Sequence, residues 1–197
     1  GETGIVNRVF LNENNKIFDK DFLQSDKSLE IDSQILLEKI INEFQKADLL
    51  KKEKDFIFTD KSLENFFFVE LILGIFPNAK IINCERNIFE SIISMFQNFL
   101  PNITWSHSLE SILKYINNNI KIINILKKKY PNQIYSVNLD DIKNDSEKTT
   151  RQLFNYCELS WDPKSLEFYK RTDLTSKTAS NIQIRNKIYK TDKNKYH

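Results

Sequence analysis

The sequence has few of the residues that build disulfide frameworks, metal centres and glycine-rich loops. Its 197 residues include only 2 Cys, 2 His and 3 Gly. Two cysteines, Cys84 and Cys157, are too few for a disulfide framework in a chain of this size, so we expect buried free thiols in a reducing compartment. Two histidines exclude a His-rich metal centre, and we expect no metal.

The sequence also lacks a long apolar run. The longest, residues 66–76, is interrupted by Glu70 and is far shorter than the ~20 residues that a membrane span needs. No signal peptide is visible, so we expect a cytoplasmic protein without a membrane partner. Because the chain starts with Gly1 and not Met, we also expect that its natural amino terminus lies upstream.

The chain as a whole has little net charge. Lys and Arg number 29 against 27 Asp and Glu, a formal net charge of +2, which gives no indication of nucleic-acid binding. Residues 177–197, however, contain six cations and one anion, so the basic charge is concentrated at the carboxyl end. We expect this tail to meet an anion. An alternative is that the tail binds nucleic acid or another acidic polymer, with the rest of the chain as scaffold.

Short apolar segments alternate with longer amphipathic ones along the chain. Residues 55–59, 80–84 and 133–139 are typical of short strands. Helical periodicity is found at residues 32–50, 66–75, 88–99 and 109–130, and a further helix is predicted to start at Asp145 or Ser146. This alternation predicts an α/β fold, a parallel sheet flanked by helices.

Two cations follow predicted strands directly. Lys61 follows residues 55–59, and Arg86 follows residues 80–84, with a predicted helix starting after each. Ligands of parallel sheets bind at the carboxyl ends of strands, where helix amino termini favour anions. The pair therefore predicts an anion site at one edge of the sheet, although each cation taken alone is better explained as an ordinary loop residue.

Five segments in order resemble a known family. They are Asp60-Lys61-x-x-x-Asn65, FPNAKIINCERN at residues 76–87 with Ser94 beyond it, VNLDDIKNDSE at residues 137–147, CELSWD at residues 157–162, and TASNIQIR at residues 178–185. This pattern resembles the sulfotransferases that use 3′-phosphoadenosine 5′-phosphosulfate. It is most similar to the branch of protein-tyrosine sulfotransferases and bacterial domains that are often fused to tetratricopeptide repeats.

The resemblance implies a P-loop nucleotide-hydrolase-like fold and sulfuryl transfer to a hydroxyl or amine without a metal. The chain would be a single sulfotransferase domain over residues 1–197, a fragment without its amino-terminal strand and phosphate loop, and with repeats possible upstream. Arg86 and Ser94 would hold the 3′-phosphate of the nucleotide. Lys61 would lie near the bridging oxygen between phosphate and sulfate, and Ser180 would donate a hydrogen bond to the same leaving group and to the nucleotide.

The resemblance also implies a nucleotide-closing tail and a general base. Gln183, Arg185 and Lys195 would belong to the basic tail that closes over the nucleotide. Glu2 lies where the family has its base, although an exposed terminal carboxylate explains it equally well. The acceptor stays open among carbohydrate, protein tyrosine and small molecules, and Trp105 either lines the acceptor side or packs on the core.

Several positions depart from the family pattern. The phosphate loop G-x-P-R-S-G-T-[ST] is absent from the sequence, and without its backbone donors the 5′-phosphosulfate would not bind. Asn87-Ile88 replaces Asp-Pro after the arginine, Leu139 replaces a tyrosine, and Lys187 replaces a proline. The alternative to an enzyme is therefore a degenerate, non-catalytic module of the same fold that binds a nucleotide or a partner.

Overall fold

The computed structural model describes residues 4–17, 33–47, 57–97, 100, 103–171 and 185–188. These residues fall into two compact units, Gly1–Ala79 and Lys80–His197. The single domain expected from the sequence stays a prediction. Within the described residues, no helix combines the length and the apolar character that a membrane crossing requires.

The first unit is a helical cluster. It contains α1 (Ile5–Ile17), α2 (Ser33–Lys46), a 3₁₀ segment (Leu63–Phe68) and α3 (Val69–Ile75). Its core joins apolar side chains of all three α-helices, with Phe10 at 1% and Ile40 at 0% exposure. The helical period predicted at residues 32–50 is thereby confirmed as α2, whose buried residues follow that period.

The strand predicted at residues 55–59 is wrong for its described part. Residues 57–59 form no strand, and residues 55–56 lie outside the described residues. Phe58 packs instead against the rings of Phe44 and Phe76, with centroid distances of 4.9 and 5.7 Å. The ring therefore belongs to the helical core of this unit, a use that the short apolar pattern could not distinguish from a buried strand.

The second unit contains a parallel sheet with helices around it. Strand β1 (Ile81–Glu85) pairs with β2 (Ile134–Asn138) in parallel, from Ile81 opposite Ile134 to Glu85 opposite Asn138. The unit also holds α4 (Ile88–Gln97), α5 (Leu109–Lys129), α6 (Leu139–Asn144) and α7 (Ser146–Tyr156), with 3₁₀ segments at Thr104–His107 and Pro163–Lys170. The predicted α/β class, a parallel sheet flanked by helices, is confirmed.

Strand β1 is less buried than its apolar sequence suggests. Ile82 is 39% exposed, and Cys84, on the same face, is exposed as well. Cys157 is only partly buried, and the two cysteines form no disulfide. The expectation of free thiols is confirmed, and the expectation that they are buried was wrong, because Cys84 lies on the exposed face of β1.

Helix α7 has a side-chain cap at its start and a left-handed residue just beyond its end. The helix starts after Asp145, one of the two starts that the sequence left open, and the Asp145 carboxylate accepts from the backbone N–H of Lys148 at 3.1 Å. It ends at Tyr156, and Glu158, two residues beyond, has a φ of 58°. This left-handed conformation, which favours glycine, is common just after the end of a helix.

Candidate functional site

The loop that carries Lys61 is shaped by hydrogen bonds between its neighbours. The carboxylate of Asp60 accepts from Ser62 Oγ at 3.1 Å and from Asn65 Nδ2 at 3.2 Å. Asp60 is thus hydrogen-bonded to two residues that follow Lys61 in the loop, and Lys61 itself is exposed. The ordered loop therefore holds the backbone of Lys61 in one place.

The chain at Gly4 is attached to the same loop. The backbone N–H of Gly4 donates to Ser62 Oγ at 3.1 Å, and Gly4 has a φ of 60°, which glycine adopts without strain. Ser62 precedes the 3₁₀ segment, but its side chain makes no cap bond; its hydroxyl donates to Asp60 and accepts from Gly4 instead. Gly4, two residues after Glu2, is thus hydrogen-bonded to Ser62, the residue that follows Lys61.

Arg86 lies at the carboxyl end of β1, as predicted. Its Nε and Nη2 both donate to one oxygen, Oε2 of Glu90, at 3.3 and 3.2 Å. The Arg86 side chain is 35% exposed and that of Glu90 is 27% exposed. The Arg86 guanidinium is thus half-buried, and Glu90 on the helix that follows is its counter-ion.

Helix α4 starts directly after Arg86. The side-chain oxygen of Asn87 accepts from the backbone N–H of Glu90 at 3.2 Å, so Asn87 performs the capping that the aspartate of the resembling family could perform. Ser94 is half-buried further along the same helix. Glu90 and Ser94 are four residues apart on α4, a spacing that brings their side chains to one face of the helix, and Arg86 lies four residues before Glu90.

A polar network, named here the Glu85 network, consists of Asn83, Glu85, Lys127 and Ser136. Oε1 of Glu85 accepts from Ser136 Oγ at 2.7 Å, from Lys127 Nζ at 2.9 Å and from Asn83 Nδ2 at 2.9 Å. These hydrogen bonds, that of Lys127 first, hold the pKa of Glu85 below its usual value despite partial burial. The network joins β1, β2 and α5 at the residue before Arg86.

The described part of the basic tail rests on the segment around Tyr169. The guanidinium of Arg185 donates through Nη1 to the backbone oxygen of Arg171. Lys187 Nζ lies 5.5 Å from the centroid of the Tyr169 ring, a cation–π contact. Lys187, which replaces a proline of the resembling family, thereby gains a packing role in the second unit.

Trp105 packs on the helix that follows it. Its ring stacks on Tyr115 at a centroid distance of 3.8 Å and an interplanar angle of 7°. His107 Nε2 lies 3.0 Å from the backbone oxygen of Leu100. Of the two explanations left open by the sequence, packing is the one that the contacts of Trp105 support.

A cavity of about 320 Å³ lies beside the carboxyl end of β2. Its lining includes Asn138, Asp141, Asp145 and Lys148, and therefore two carboxylates against one cation. Such a lining repels an anionic ligand more than it attracts one. We therefore do not place the nucleotide in this cavity.

The predicted site residues are thus distributed over the two units. Lys61 belongs to the first unit, and Arg86, Ser94 and Arg185 belong to the second. Glu2, Ser180, Gln183 and Lys195 lie outside the described residues. Glu90 and Glu85 were not predicted from the sequence, although the i,i+4 spacing of Glu90 from Arg86 was a usable signal.

Arg86 follows the carboxyl end of a parallel strand and precedes a capped helix amino terminus, an arrangement typical of anion sites in α/β domains. A family model described as "Sulfotransferase family" matches residues 9–163. The chain therefore belongs to the sulfotransferase family, as the resemblance of its motifs indicated. The name of this family refers to sulfuryl transfer.

One relative matches most of the chain. An uncharacterized protein of Aquifex aeolicus (strain VF5) is 36% identical to the chain over 141 residues. The aligned region covers 70% of this chain but 18% of that protein. The chain thus spans less than a fifth of the length of the relative it matches.

Proposed function

We propose that the chain belongs to a sulfotransferase that transfers a sulfuryl group from 3′-phosphoadenosine 5′-phosphosulfate to a hydroxyl or amine. The observation that carries the proposal is Arg86, half-buried at the end of β1 and next to the capped start of α4. A planar guanidinium and a helix amino terminus at one strand end form a site suited to a phosphate group.

Arg86 and Ser94 are the proposed ligands of the 3′-phosphate. Arg86 supplies the charged donors, and Ser94 supplies a hydroxyl from the same helix face. Gln183, Arg185 and Lys195 are the proposed tail contacts to the nucleotide. The contacts of Arg185 and Lys187 around Tyr169 support this role because they attach part of the tail to the second unit.

The proposed chemical step is an in-line displacement. The acceptor oxygen or nitrogen forms a bond to sulfur while the bond from sulfur to the bridging phosphate oxygen breaks. Lys61 and Ser180 stabilise the negative charge that grows on this leaving oxygen, which lowers the transition state more than the ground state. Glu2 takes the proton of the acceptor.

The ordered loop around Lys61 supports its part in this step. A cation acts best on a developing charge when its position is set before the reaction, because no reorganisation is then needed. Asp60, Ser62 and Asn65 form the hydrogen bonds that set the loop. The bond from Gly4 to Ser62 supports Glu2 as the base, since it attaches the chain two residues after Glu2 to this loop.

The identity of the acceptor stays a wider proposal. Carbohydrate, protein tyrosine and small molecules are the classes of acceptor that we propose, without nucleic acid or membrane as partner. We also propose a cytoplasmic protein in which tetratricopeptide repeats precede this domain.

Calorimetric titration with adenosine 3′,5′-bisphosphate, the nucleotide product, tests the proposal. We expect binding to this chain or to one extended upstream of Gly1, and loss of binding in Arg86→Ala. Arg151→Ala is the matched control, because Arg151 also pairs with a glutamate four residues away, Glu147, but lies on α7. Absence of binding to both native chains would favour the degenerate module, and equal losses in both variants would remove the special role of Arg86.

A further inference from the structure

The side chain of Glu90 bonds to Arg86 and not to the backbone at the start of its helix. It is three residues after the capping Asn87, the position from which a glutamate commonly reaches back to the backbone N–H of the cap residue. Its carboxylate instead accepts from Nε and Nη2 of Arg86. The Glu90 side chain therefore bonds to Arg86 and does not cap the start of α4.

The other nearby carboxylate does not have this role. Glu85 precedes Arg86 directly, but its Oε1 accepts from Lys127, Ser136 and Asn83 within the Glu85 network. In the described part of the chain, Glu90 is the carboxylate that contacts Arg86. Two acidic residues on either side of Arg86 thus have separate partners.

We propose that Glu90 is a positioning residue that orients the Arg86 guanidinium for the 3′-phosphate. This inference rests on the proposed function for the identity of the ligand. By accepting at Nε and Nη2, Glu90 fixes the long side chain and leaves the Nη1 donors without a hydrogen-bond partner among the described residues. Those donors, together with the second N–H of Nη2, are the ones that meet the phosphate.

Glu90 favours phosphate binding by orienting Arg86 more than it opposes binding by repelling the phosphate. Glu90 and the phosphate are both anions, but the guanidinium lies between them, so each is closer to the positive charge than to the other. At the half-exposed edge of the sheet, the longer-range repulsion is screened by salt over ~8 Å at physiological ionic strength. An unheld arginine, in contrast, must lose its rotamer freedom when the phosphate binds.

Two measurements on the whole chain, native and extended upstream, test the inference. The first is the ¹⁵N–¹H NMR signal of Arg86 Nε in the absence of nucleotide, compared among native chain, Glu90→Ala and Glu90→Gln. The second is titration with adenosine 3′,5′-bisphosphate and with adenosine 5′-monophosphate, which lacks the 3′-phosphate. Glu147→Ala is the control, because it removes an arginine–glutamate pair of the same i,i+4 spacing from α7.

We expect Glu90→Ala to broaden or lose the Arg86 signal and to weaken bisphosphate binding roughly tenfold, with monophosphate binding unchanged. Glu90→Gln keeps an acceptor at the same reach and should retain most of the affinity, and Glu147→Ala should change neither measurement. Unchanged or tighter bisphosphate binding in Glu90→Ala would overturn the inference, as would equal weakening for both nucleotides.

The two proposals can fail separately. If neither native chain binds any nucleotide, the proposed function fails, and the Arg86 signal alone decides the role of Glu90. Its persistence in Glu90→Ala would overturn the positioning role, whereas its loss there and not in Glu147→Ala would support it.

Discussion

The Glu85 network makes a quantitative prediction about the second unit. Glu85→Gln keeps the size of the side chain and one acceptor oxygen but removes the charge that Lys127 neutralises. A single exposed ion pair contributes roughly 0.2–1 kcal/mol, and a hydrogen bond to a charged group roughly 1.5–3 kcal/mol. Because Lys127 and Glu85 are 32% and 44% exposed, the solvent-screened end of this range applies. We expect a loss of about 1 kcal/mol in the free energy of unfolding.

Urea unfolding followed by tryptophan fluorescence measures this loss in the relevant unit. Both tryptophans, Trp105 and Trp161, belong to the second unit. A change of about 1 kcal/mol moves the urea midpoint by roughly 0.5 M at a typical slope. Glu158→Gln is the control: Glu158 also pairs with a lysine, Lys80, but it is 77% exposed and should give no measurable change.

The pH dependence follows from the lowered pKa of Glu85. A carboxylate with a lower pKa in the folded state stabilises the fold above its unfolded pKa and loses this effect as the pH falls through the folded pKa. The difference between native chain and Glu85→Gln should therefore be full at pH 7 and shrink below roughly pH 4.3. A loss equal to that of Glu158→Gln, or no coupling to Lys127→Met in a double-mutant cycle, would refute this reasoning.

Two further predictions concern catalysis and the core. In a chain extended upstream of Gly1 and active in sulfuryl transfer, Lys61→Ala should lower kcat by about 10²–10³, as loss of one transition-state donor does, while Lys46→Ala should not; an unchanged kcat would contradict the role of Lys61. Ile112→Ala should destabilise the second unit by about 2–5 kcal/mol, because Ile112 is fully buried in α5. Ile125→Ala in the same helix should stay within about 0.5 kcal/mol, since Ile125 is 65% exposed, and equal urea midpoints of the two variants would contradict the assignment of the core.

The helices and the two parallel strands could be predicted because their signals are local. Periodic apolar residues of α2 and α5, the apolar run of β1, and the cap at Asp145 each act within a few neighbouring residues. Helix α6 was not separated from β2, because Asn138 both ends the strand and caps the helix, with its side chain accepting from Asp140 N–H.

Part of the candidate site was also determined by sequence alone. The position of Arg86 at the end of a strand and of Ser94 on the following helix came from spacing, and the order of the motifs indicated the sulfotransferase family. These features could be predicted because each depends on a short stretch of chain and not on how distant elements pack.

The tertiary structure decided which side chains hold the site in place. Gly4 meets Ser62 across 58 residues, Lys127 meets Glu85 across 42, and Ser136 meets Glu85 across 51. Phe58 joins a helical core instead of a sheet for the same reason. Such contacts depend on how distant elements pack, and a hydrogen bond between residues this far apart leaves no periodic or local pattern in the sequence.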